Sequence, residues 1–405
     1  MENRAILISG ASVAGPALAY WLRHYGFNPT IVERASAPRA GGQAIDLRGA
    51  ARDAAERMGI MPAVRQAHTG TKGMSFVNSA GKRVASMSAD LLGNSGGAIA
   101  EIEILRGDLV RILYSATRDD VSYIFDDSIT TIEQGQDGVR VTFEHGDQRV
   151  FALVVGADGL HSNVRALAFG AESAFVRDLG AYVATFTALN PLTLDDWELM
   201  YSTPGKTVGL YPLRQDTDAI ALFYFASPPL RYDRHDIAQQ KRLLADTFAQ
   251  VGWEVPRLLE AMWEAPDFYF DRLSQVRMDH WSTGRLALLG DAAYGPSPLS
   301  GMGTSLALVG AYVLAGELAV AAGDHRIAFA RYENAMRNYV EQGQKQVEGA
   351  KFGLLPRSYS QIRLRNMAWR MLPYMPWRGV VAGGARKAAT AITLKDYEAV
   401  GVRTI

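Results

Sequence analysis

The chain begins with short apolar runs separated by a helical stretch. Arg4 to Ser9 is a flat apolar run, which is typical of a buried parallel strand. A helical stretch follows from Pro16 to Tyr25, and a second apolar run extends from Pro29 to Val32. This order and these lengths predict a βαβ unit, and therefore an α/β domain built on a parallel sheet.

The pattern changes beyond residue 180. From Ala181 to Phe225, β-branched and aromatic residues alternate over several strands with no helix of any length between them. This predicts an antiparallel sheet, and hence a second domain. Two helical stretches follow at 237–251 and 257–265. A strand from Phe268 to Arg277 is then expected to return to the first domain.

The stretch from Gly284 to Gly323 contains a strand, a loop rich in proline and glycine, and a helix from about Gly303. Proline and glycine at this density fix a special backbone path. The helix is apolar almost all round until Glu317, so we expect it to be buried. Its N-terminus would present unpaired N–H groups and the positive end of the helix dipole to an anion or an electron-rich ring edge.

A nucleotide-binding fingerprint follows the first strand. Gly10 and Gly15 occupy the first and sixth positions of the G-x-G-x-x-G pattern, Ser12 occupies the middle glycine position, and Glu33 lies about 20 residues on. A small residue at the middle position lets the backbone approach a pyrophosphate, and the acid suits a ribose 2′-hydroxyl. We therefore predict dinucleotide binding, which glycine choice alone does not resolve into NAD or FAD.

Composition narrows the class of protein. The 405 residues exceed one average domain, and nearly half of them are hydrophobic. The 42 basic and 42 acidic residues balance, which argues against nucleic-acid binding. The absence of cysteine excludes disulfides and thiolate chemistry, and we predict a cytoplasmic protein with no metal site. We predict neither a signal peptide nor stable membrane insertion.

Two further stretches leave alternatives open. Gly156-Ala-Asp158-Gly, with Ser162 and Arg165 after it, is either a second loop facing phosphate or ribose, or a capped turn with a salt bridge. The basic, aromatic segment from Lys345 to Lys387 could lie on a membrane or close over an anionic substrate. A helix with its apolar face on the protein and its charges in solvent is the favoured interpretation.

Three motifs occur in one order: GASVAG with Glu33-Arg34, GADG with Ser162 and Arg165, and GDAAYGPSPLSGMG. Together they resemble the single-component FAD-dependent aromatic hydroxylases, the class A flavoprotein monooxygenases with the p-hydroxybenzoate hydroxylase fold. The stretches around Asp46-Leu47 and Leu105-Arg106 resemble the tetracycline-inactivating members. The likeness spans about residues 4 to 345. Tyr294 departs from the family pattern, which usually has histidine there.

The resemblance implies an NAD(P)H- and O2-dependent monooxygenase that hydroxylates an aromatic or polyketide-like small molecule through a flavin hydroperoxide. It implies that Glu33 holds the adenosine ribose, that Asp158 lies near the pyrophosphate, and that Asp291 binds the ribityl chain. The flavin itself is the expected catalyst. The predicted FAD-binding residues are Gly10, Ser12, Val13, Ala14, Gly15, Glu33, Arg34, Asp46, Arg106, Asp158, Asp291, Pro298, Gly301, Gly303 and Thr304, and the pocket candidates are Tyr211, Arg214, Phe223 and Pro298.

The predicted fold is α/β: a Rossmann-like FAD-binding domain, a mixed or antiparallel β-sheet substrate domain and C-terminal helices. We expect the first domain at 1–74, 101–177 and 270–345, the second at 75–100 and 178–269, and the helical segment at 346–405. A flavin-dependent reductase or oxidase of the same fold remains an alternative, as does a non-catalytic flavin- or substrate-binding protein. Substrate identity, NADPH against NADH and oligomeric state stay open.

Overall fold

The computed structural model describes residues 4–38, 41–89, 102–190, 192, 194–213, 217–375 and 387–399. The strands in this part of the chain are β1 Ala5–Ser9, β2 Asn28–Val32, β3 Ala44–Asp46, β4 Gly73–Val77, β5 Arg83–Ser88, β6 Glu103–Leu105, β7 Ser122–Ile124, β8 Ile129–Gln134, β9 Val139–Phe143, β10 Arg149–Phe151, β11 Leu153–Gly156, β12 Val176–Leu189, β13 Trp197–Thr203, β14 Lys206–Pro212, β15 Asp218–Ala226, β16 Tyr269–Val276, β17 Ser282–Thr283 and β18 Leu286–Leu288. The helices are α1 Ala14–His24, α2 Ala50–Arg57, α3 Met61–Gln66, α4 Arg106–Ser115, α5 Asn163–Ala168, α6 Ile237–Phe248, α7 Val255–Glu264, α8 Asp291–Tyr294, α9 Gly303–Val320, α10 His325–Lys345, α11 Val347–Leu354 and α12 Tyr359–Met371.

The first sheet has six strands in the order β17-β18-β11-β1-β2-β7. β1 lies in its interior and pairs in parallel with β2 on one side and β11 on the other. Ile6, Leu7 and Ile8 are completely buried, because helices and neighbouring strands cover both faces of a parallel sheet. The predicted βαβ unit and α/β fold class are confirmed. The strands β10-β9-β8 and β3-β6 form two further small antiparallel sheets.

Helix α9 is buried on almost every side. It packs against α1, α2 and α10, and 78% of its residues are buried inside the protein. Within the described residues it is the one helix long and apolar enough to cross a membrane, but its burial is that of a core helix. The prediction of a buried helix that begins near Gly303 is confirmed.

The acid that ends the apolar stretch of α9 is itself buried. Glu317 is 4% exposed and accepts hydrogen bonds from the Tyr397 hydroxyl (2.9 Å) and the Lys395 ammonium (3.2 Å). A Cβ on Gly316 would lie 2.3 Å from the Tyr397 ring, so the glycine leaves the space that this ring occupies. The segment 387–399 is therefore fastened to α9 by a buried carboxylate.

The second sheet has seven strands in the order β16-β12-β15-β14-β13-β4-β5. Leu244, Phe248 and Leu258 of α6 and α7 cover one face together with Phe186 and Phe223 of the sheet. The opposite face turns toward the 3₁₀ turn Pro298–Ser300 and α11. Alternation along the strands thus gives the sheet one face for a core and one face for a site.

The strand after α7 corrects one expectation. We expected Phe268 to Arg277 to return to the first domain, but β16 is an edge strand of the seven-stranded sheet and pairs antiparallel with β12, with Val183 opposite Asp271. Only its end reaches the first sheet region, where the Val276 N–H donates to Gly295 O at 2.9 Å.

A buried arginine fastens α12 to the seven-stranded sheet. Arg365 is 7% exposed, and its Nη1 donates to Gly353 O (2.9 Å) and Ser202 Oγ (3.2 Å). Its guanidinium lies 3.7 Å from the centre of the Phe76 ring, and burial lowers its pKa to about 10. Trp369 also contacts the Phe76 ring edge-to-face. The favoured interpretation, a helix packed on the protein, holds for this part of the segment, although Leu364 and Met367 are exposed.

Replacing Arg365 with methionine keeps much of the apolar stem and removes the hydrogen bonds to β13 and α11. We expect a loss of about 1–3 kcal/mol of stability, because Gly353 O and Ser202 Oγ lose a charged donor. Faster proteolytic cleavage between α11 and α12, measured by mass spectrometry, reports the release of the helix. The exposed Arg363→Met is the matched control. Equal cleavage rates for both variants contradict this role.

Candidate functional site

The backbone of the loop after β1 lies very close to neighbouring backbone atoms. Gly10 has φ +107°, and a Cβ there would lie 2.5 Å from Ala157 O, at the end of β11. A Cβ on Gly15 would lie 1.9 Å from Gly10 O. Both positions therefore require glycine, because a side chain would push the loop away from the neighbouring strand or from itself.

Polar side chains hold this loop in place. The Glu33 carboxylate accepts hydrogen bonds from Ala11 N (2.7 Å) and Ala35 N (2.9 Å), which fixes it beside the loop at the end of β2. Ser12 Oγ accepts a hydrogen bond from Arg106 Nη2 at 2.8 Å. Val13 and Ala14 are buried at the start of α1, and Arg34 is exposed.

The second loop, after β11, is a capped turn. Asp158 accepts hydrogen bonds from the Ser162 hydroxyl, from Val164 N (3.0 Å) and from Ser9 Oγ (3.4 Å), and burial raises the pKa of its carboxyl group. Arg165 is completely buried and donates to Ala292 O (2.9 Å). This arrangement matches the capped-turn alternative. Arg165 supports the turn next to Asp291 and does not face a phosphate.

The third loop lies between β18 and α9. Asp291, Pro298 and Gly301 are exposed, although the residues on both sides of Asp291 are buried. Although Asp291 is open to solvent, protein atoms surround its carboxyl group, and this desolvation raises its pKa, whereas the charge of Arg106 lowers it. Gly301 has φ +62°, and a Cβ there would lie 3.8 Å from Asp46 Oδ2. Arg106 reaches Ser12 and lowers the pKa of Asp291, so the loops after β1, β6 and β18 converge around these exposed groups, and we call this region the cleft.

The start of α9 opens toward this loop. Among the described residues, no side chain caps its N-terminus, and Gly303 and Thr304 are only partly buried. Ser297, just before the 3₁₀ turn, has φ +81°, which is strained for a residue other than glycine. The predicted site at the positive end of this helix is thus accessible. A planar ligand with hydroxyl groups and an electron-rich edge fits this set of donors.

Sequence reasoning missed a chain of ionisable groups that borders the cleft. The Tyr269 hydroxyl donates to Asp271 Oδ2 (3.0 Å), which also lies 3.0 Å from His161 Nε2. His161 Nδ1 lies 2.9 Å from Glu172 Oε2. The two carboxylates raise the pKa of His161 to about 9. No local pattern could reveal this group, because Asp271 and His161 are 110 residues apart.

The pocket candidates divide between the faces of the seven-stranded sheet. Tyr211 packs with Leu299 on the face toward the third loop, where Pro298 is exposed. Phe223 lies on the opposite face, completely buried between Phe186 and Phe248, and so cannot line the pocket. Aromatic composition alone does not decide the face of a strand residue. Arg214 lies outside the described residues.

Comparison with known proteins identifies the class. Residues 3–342 match the sequence model of the FAD binding domain family, and the chain belongs to this family. It is 42% identical over 399 residues to a flavin-dependent monooxygenase from an unknown prokaryotic organism, covering 98% of this chain and 100% of that protein. It is 44% identical over 344 residues to a flavin-dependent monooxygenase of Legionella longbeachae serogroup 1 (strain NSW150), covering 85% and 88% of the two chains.

Solved structures agree with this assignment. The crystal structure of tetracycline destructase Tet(55) superposes with a TM-score of 0.83 at 42% identity, covering 98% of this chain and 99% of that one. Tetracycline destructase Tet(51) gives 0.84 at 35% identity, with the same coverage. The resemblance to class A flavoprotein monooxygenases is confirmed: the protein is an FAD-dependent monooxygenase, and FAD is its cofactor. Its partners are a small-molecule substrate and O2.

The His161 group predicts a pH-dependent contribution to stability. Its folded pKa of about 9 lies above the value of 6.5 for an ordinary histidine, so the contribution is complete below about pH 6.5 and is lost as pH rises through 9. We expect the difference in unfolding free energy between the wild type and His161→Gln to fall by about 1–3 kcal/mol over this range, as measured by urea unfolding.

Exposed His145→Gln is the control and should show no such trend. A difference between wild type and His161→Gln that stays constant from pH 6 to pH 10 would rule out the charged, doubly hydrogen-bonded state.

Proposed function

We propose that this monooxygenase uses NADPH or NADH and O2 to hydroxylate an aromatic or polyketide-like small molecule held between FAD and the seven-stranded sheet. One observation carries the proposal. Exposed Asp291, Pro298 and Gly301 share a cleft with the accessible end of α9, opposite the sheet face that holds Tyr211. A cleft with polar groups on one wall and aromatic groups on the other suits a flavin and an aromatic substrate.

The adenosine end of FAD is assigned to the first loop. Glu33 retains acceptor capacity beyond its two backbone N–H donors and would receive a ribose hydroxyl. The backbone from Gly10 to Gly15 would carry the pyrophosphate at the start of α1, with Val13 and Ala14 closing the turn and Ser12 beside Arg106. Arg34 and Asp158 border this region, with Asp158 supporting the loop through its turn.

The flavin end is assigned to the third loop. Asp291 would accept from the ribityl hydroxyls, and Arg106 and Asp46 would border the cofactor between the first and third loops. When bound, FAD supplies the redox chemistry: it accepts a hydride and activates oxygen. The backbone of Gly301, Gly303 and Thr304 at the start of α9 would stabilise negative charge on the adjacent ring edge. That stabilisation is worth about 0.3–1 kcal/mol in an exposed site and up to about 2 kcal/mol in a partly buried one.

The division of the chain follows from this assignment, with its predicted limits moved to the strands. We propose that the regions predicted at 1–74, 101–177 and 270–345 bind FAD, except that β4, β12 and β16 belong to the seven-stranded sheet and therefore to the substrate side with 75–100 and 178–269. Of the segment predicted at 346–405, α11 and α12 pack on the seven-stranded sheet, whereas 387–399 packs on α9. The balanced charge argues against nucleic-acid partners, and the burial of α9 argues against stable membrane insertion. A cytoplasmic location fits the absence of cysteine.

Oxygen labelling tests the reaction type. The holoenzyme is mixed with NADPH under ¹⁸O₂ and an aromatic panel that includes tetracycline, because Tet(55) and Tet(51) are tetracycline destructases. We expect at least one compound to stimulate NADPH oxidation and to gain one labelled oxygen atom, as detected by mass spectrometry. Product without label indicates a reductase or oxidase instead. Binding without any substrate-stimulated NADPH loss indicates a non-catalytic flavin- or substrate-binding protein.

Two substitutions test whether Asp291 contributes mainly to FAD binding and Gly301 mainly to turnover. Asp291→Ala should weaken FAD binding by about tenfold or more, because a charge-assisted hydrogen bond is worth about 1.5–3 kcal/mol. Gly301→Leu should leave FAD bound through its adenosine end but damage turnover, because Gly301 lies at φ +62° beside Asp46. Fluorescence titration of the apoprotein and NADPH oxidation measure the two effects. If both variants only lower the melting temperature equally, the assignment is wrong.

A further inference from the structure

An acidic side chain lies on the pocket face of the seven-stranded sheet. Along β13, Leu199 and Tyr201 belong to the aromatic core under α6 and α7, whereas Met200 packs on the opposite face. By alternation Glu198 shares the face of Met200. Tyr211 of the neighbouring strand β14 lies within hydrogen-bonding reach of its carboxyl group. Glu198 therefore belongs to the wall that faces the third loop, and the FAD fingerprint does not include it.

Part of this carboxyl group is without a partner. Glu198 is 3% exposed, and its Oε1 accepts no hydrogen bond within the described part of the chain. A buried acceptor left unpaired is costly, so such groups usually have a ligand, an ion or a water molecule to receive. Tyr224 and Tyr211 flank Glu198, and neither carries a positive charge.

The surroundings of Glu198 are negative. Glu103 of β6 is 8% exposed and accepts hydrogen bonds from the hydroxyls of Thr69 (2.6 Å) and Thr71 (2.7 Å). Asp46 of β3 accepts two hydrogen bonds from Arg48, at 2.7 and 3.1 Å. Burial, followed by the charges of Glu103 and Asp46, raises the pKa of Glu198 to about 8. No described cation lowers it. The pocket wall thus lacks one positive charge close to Glu198.

We propose, resting on the proposed function, that Glu198 receives a protonated amino group of the substrate, so that this monooxygenase selects aromatic substrates that carry a basic nitrogen. An ammonium group supplies both the hydrogen-bond donor that Oε1 lacks and a positive charge that stabilises Glu198 in its ionised form. A phenol hydroxyl could donate the hydrogen bond but would bring no positive charge. Asp46 also lies near Gly301, so the acidic wall adjoins the loop assigned to the flavin.

Binding of the ammonium group is expected to release the proton of Glu198. Before substrate binds, the Glu198 carboxyl group holds its proton at pH 7, since burial and the two nearby acids raise its pKa to about 8. An incoming ammonium favours the carboxylate, so the proton leaves to solvent as the ion pair forms. Glu103, Asp46, Tyr211 and Tyr224 are the other titratable groups that face Glu198, and Arg48 is the nearby cation.

The experiment compares two probes that differ only in the amino group. The FAD-loaded protein, without NADPH, is titrated at pH 7 with tetracycline, which carries a dimethylammonium group, and with 4-dedimethylaminotetracycline, which lacks it. We expect tetracycline to bind at least about tenfold more tightly, because a charged hydrogen bond is worth about that factor or more. Calorimetry in two buffers of different ionisation enthalpy should show the release of about one proton with tetracycline only.

Glu198→Gln keeps the shape of the side chain and removes its charge. It should bring the affinity ratio of the two probes close to one and abolish proton release. Glu317→Gln is the matched control: it also changes a buried carboxylate, but at the far end of α9 beside Tyr397. It should keep both the ratio and the proton release. Unchanged circular dichroism and FAD content verify that Glu198→Gln folds.

Equal binding of the two probes by the wild type, binding of neither, or an unchanged ratio in Glu198→Gln each overturn the inference. These outcomes are separate from a failure of the proposed function. The titrations involve no turnover, whereas the monooxygenase reaction is judged by the incorporation of ¹⁸O into any aromatic compound.

Discussion

A helix that is apolar on all sides cannot remain at the surface of a protein, and this constraint on α9 shapes the flavin half of the chain. The helix packs against α1, α2 and α10, which leaves its N-terminus as the end that faces the cleft. The loop before it therefore has to arrive from β18 along a narrow path. Gly301 adopts positive φ there, and so does Ser297, at the cost of strain. The packing of α9 against its neighbouring helices thus buries its sides and leaves its uncapped N-terminus accessible.

The three loops around the cleft depend on one another through buried polar contacts. Arg165 of α5 donates to Ala292 O and holds the turn that carries Asp291. Arg106 reaches Ser12 in the first loop and also lowers the pKa of Asp291 in the third. His161 connects the loop after β11 to Asp271 of the second sheet. Removing one partner of such a contact leaves an unpaired buried group, so these contacts stabilise the relative positions of the three loops.

The face of the seven-stranded sheet assigned to the substrate is less constrained by packing than the three loops assigned to the flavin. On β14 and β15, the residues facing α6 and α7 form an aromatic core that fixes the position of the sheet, with Phe223 stacked on Phe186. The alternate residues, such as Tyr211 and Leu222, contact the third loop and α11 instead. These positions can change without disturbing the core, because successive strand residues point to opposite faces. A carboxyl group such as Glu198 can therefore be accommodated on the pocket face while the sheet keeps its fold.

Elements whose signal is local could be predicted from the sequence. The glycines of the fingerprint, Glu33 at the end of β2 and the apolar run of α9 predicted a dinucleotide site and a buried helix, because the requirement for glycine or for burial acts within a few residues. Tertiary structure alone decided that Phe223 belongs to the core, that β16 is an edge strand, and that Asp158 caps a turn. It also brought His161 to Asp271 and Glu198 to Glu103. Such pairs depend on strand register and on how sheets face each other, which no short window of sequence contains.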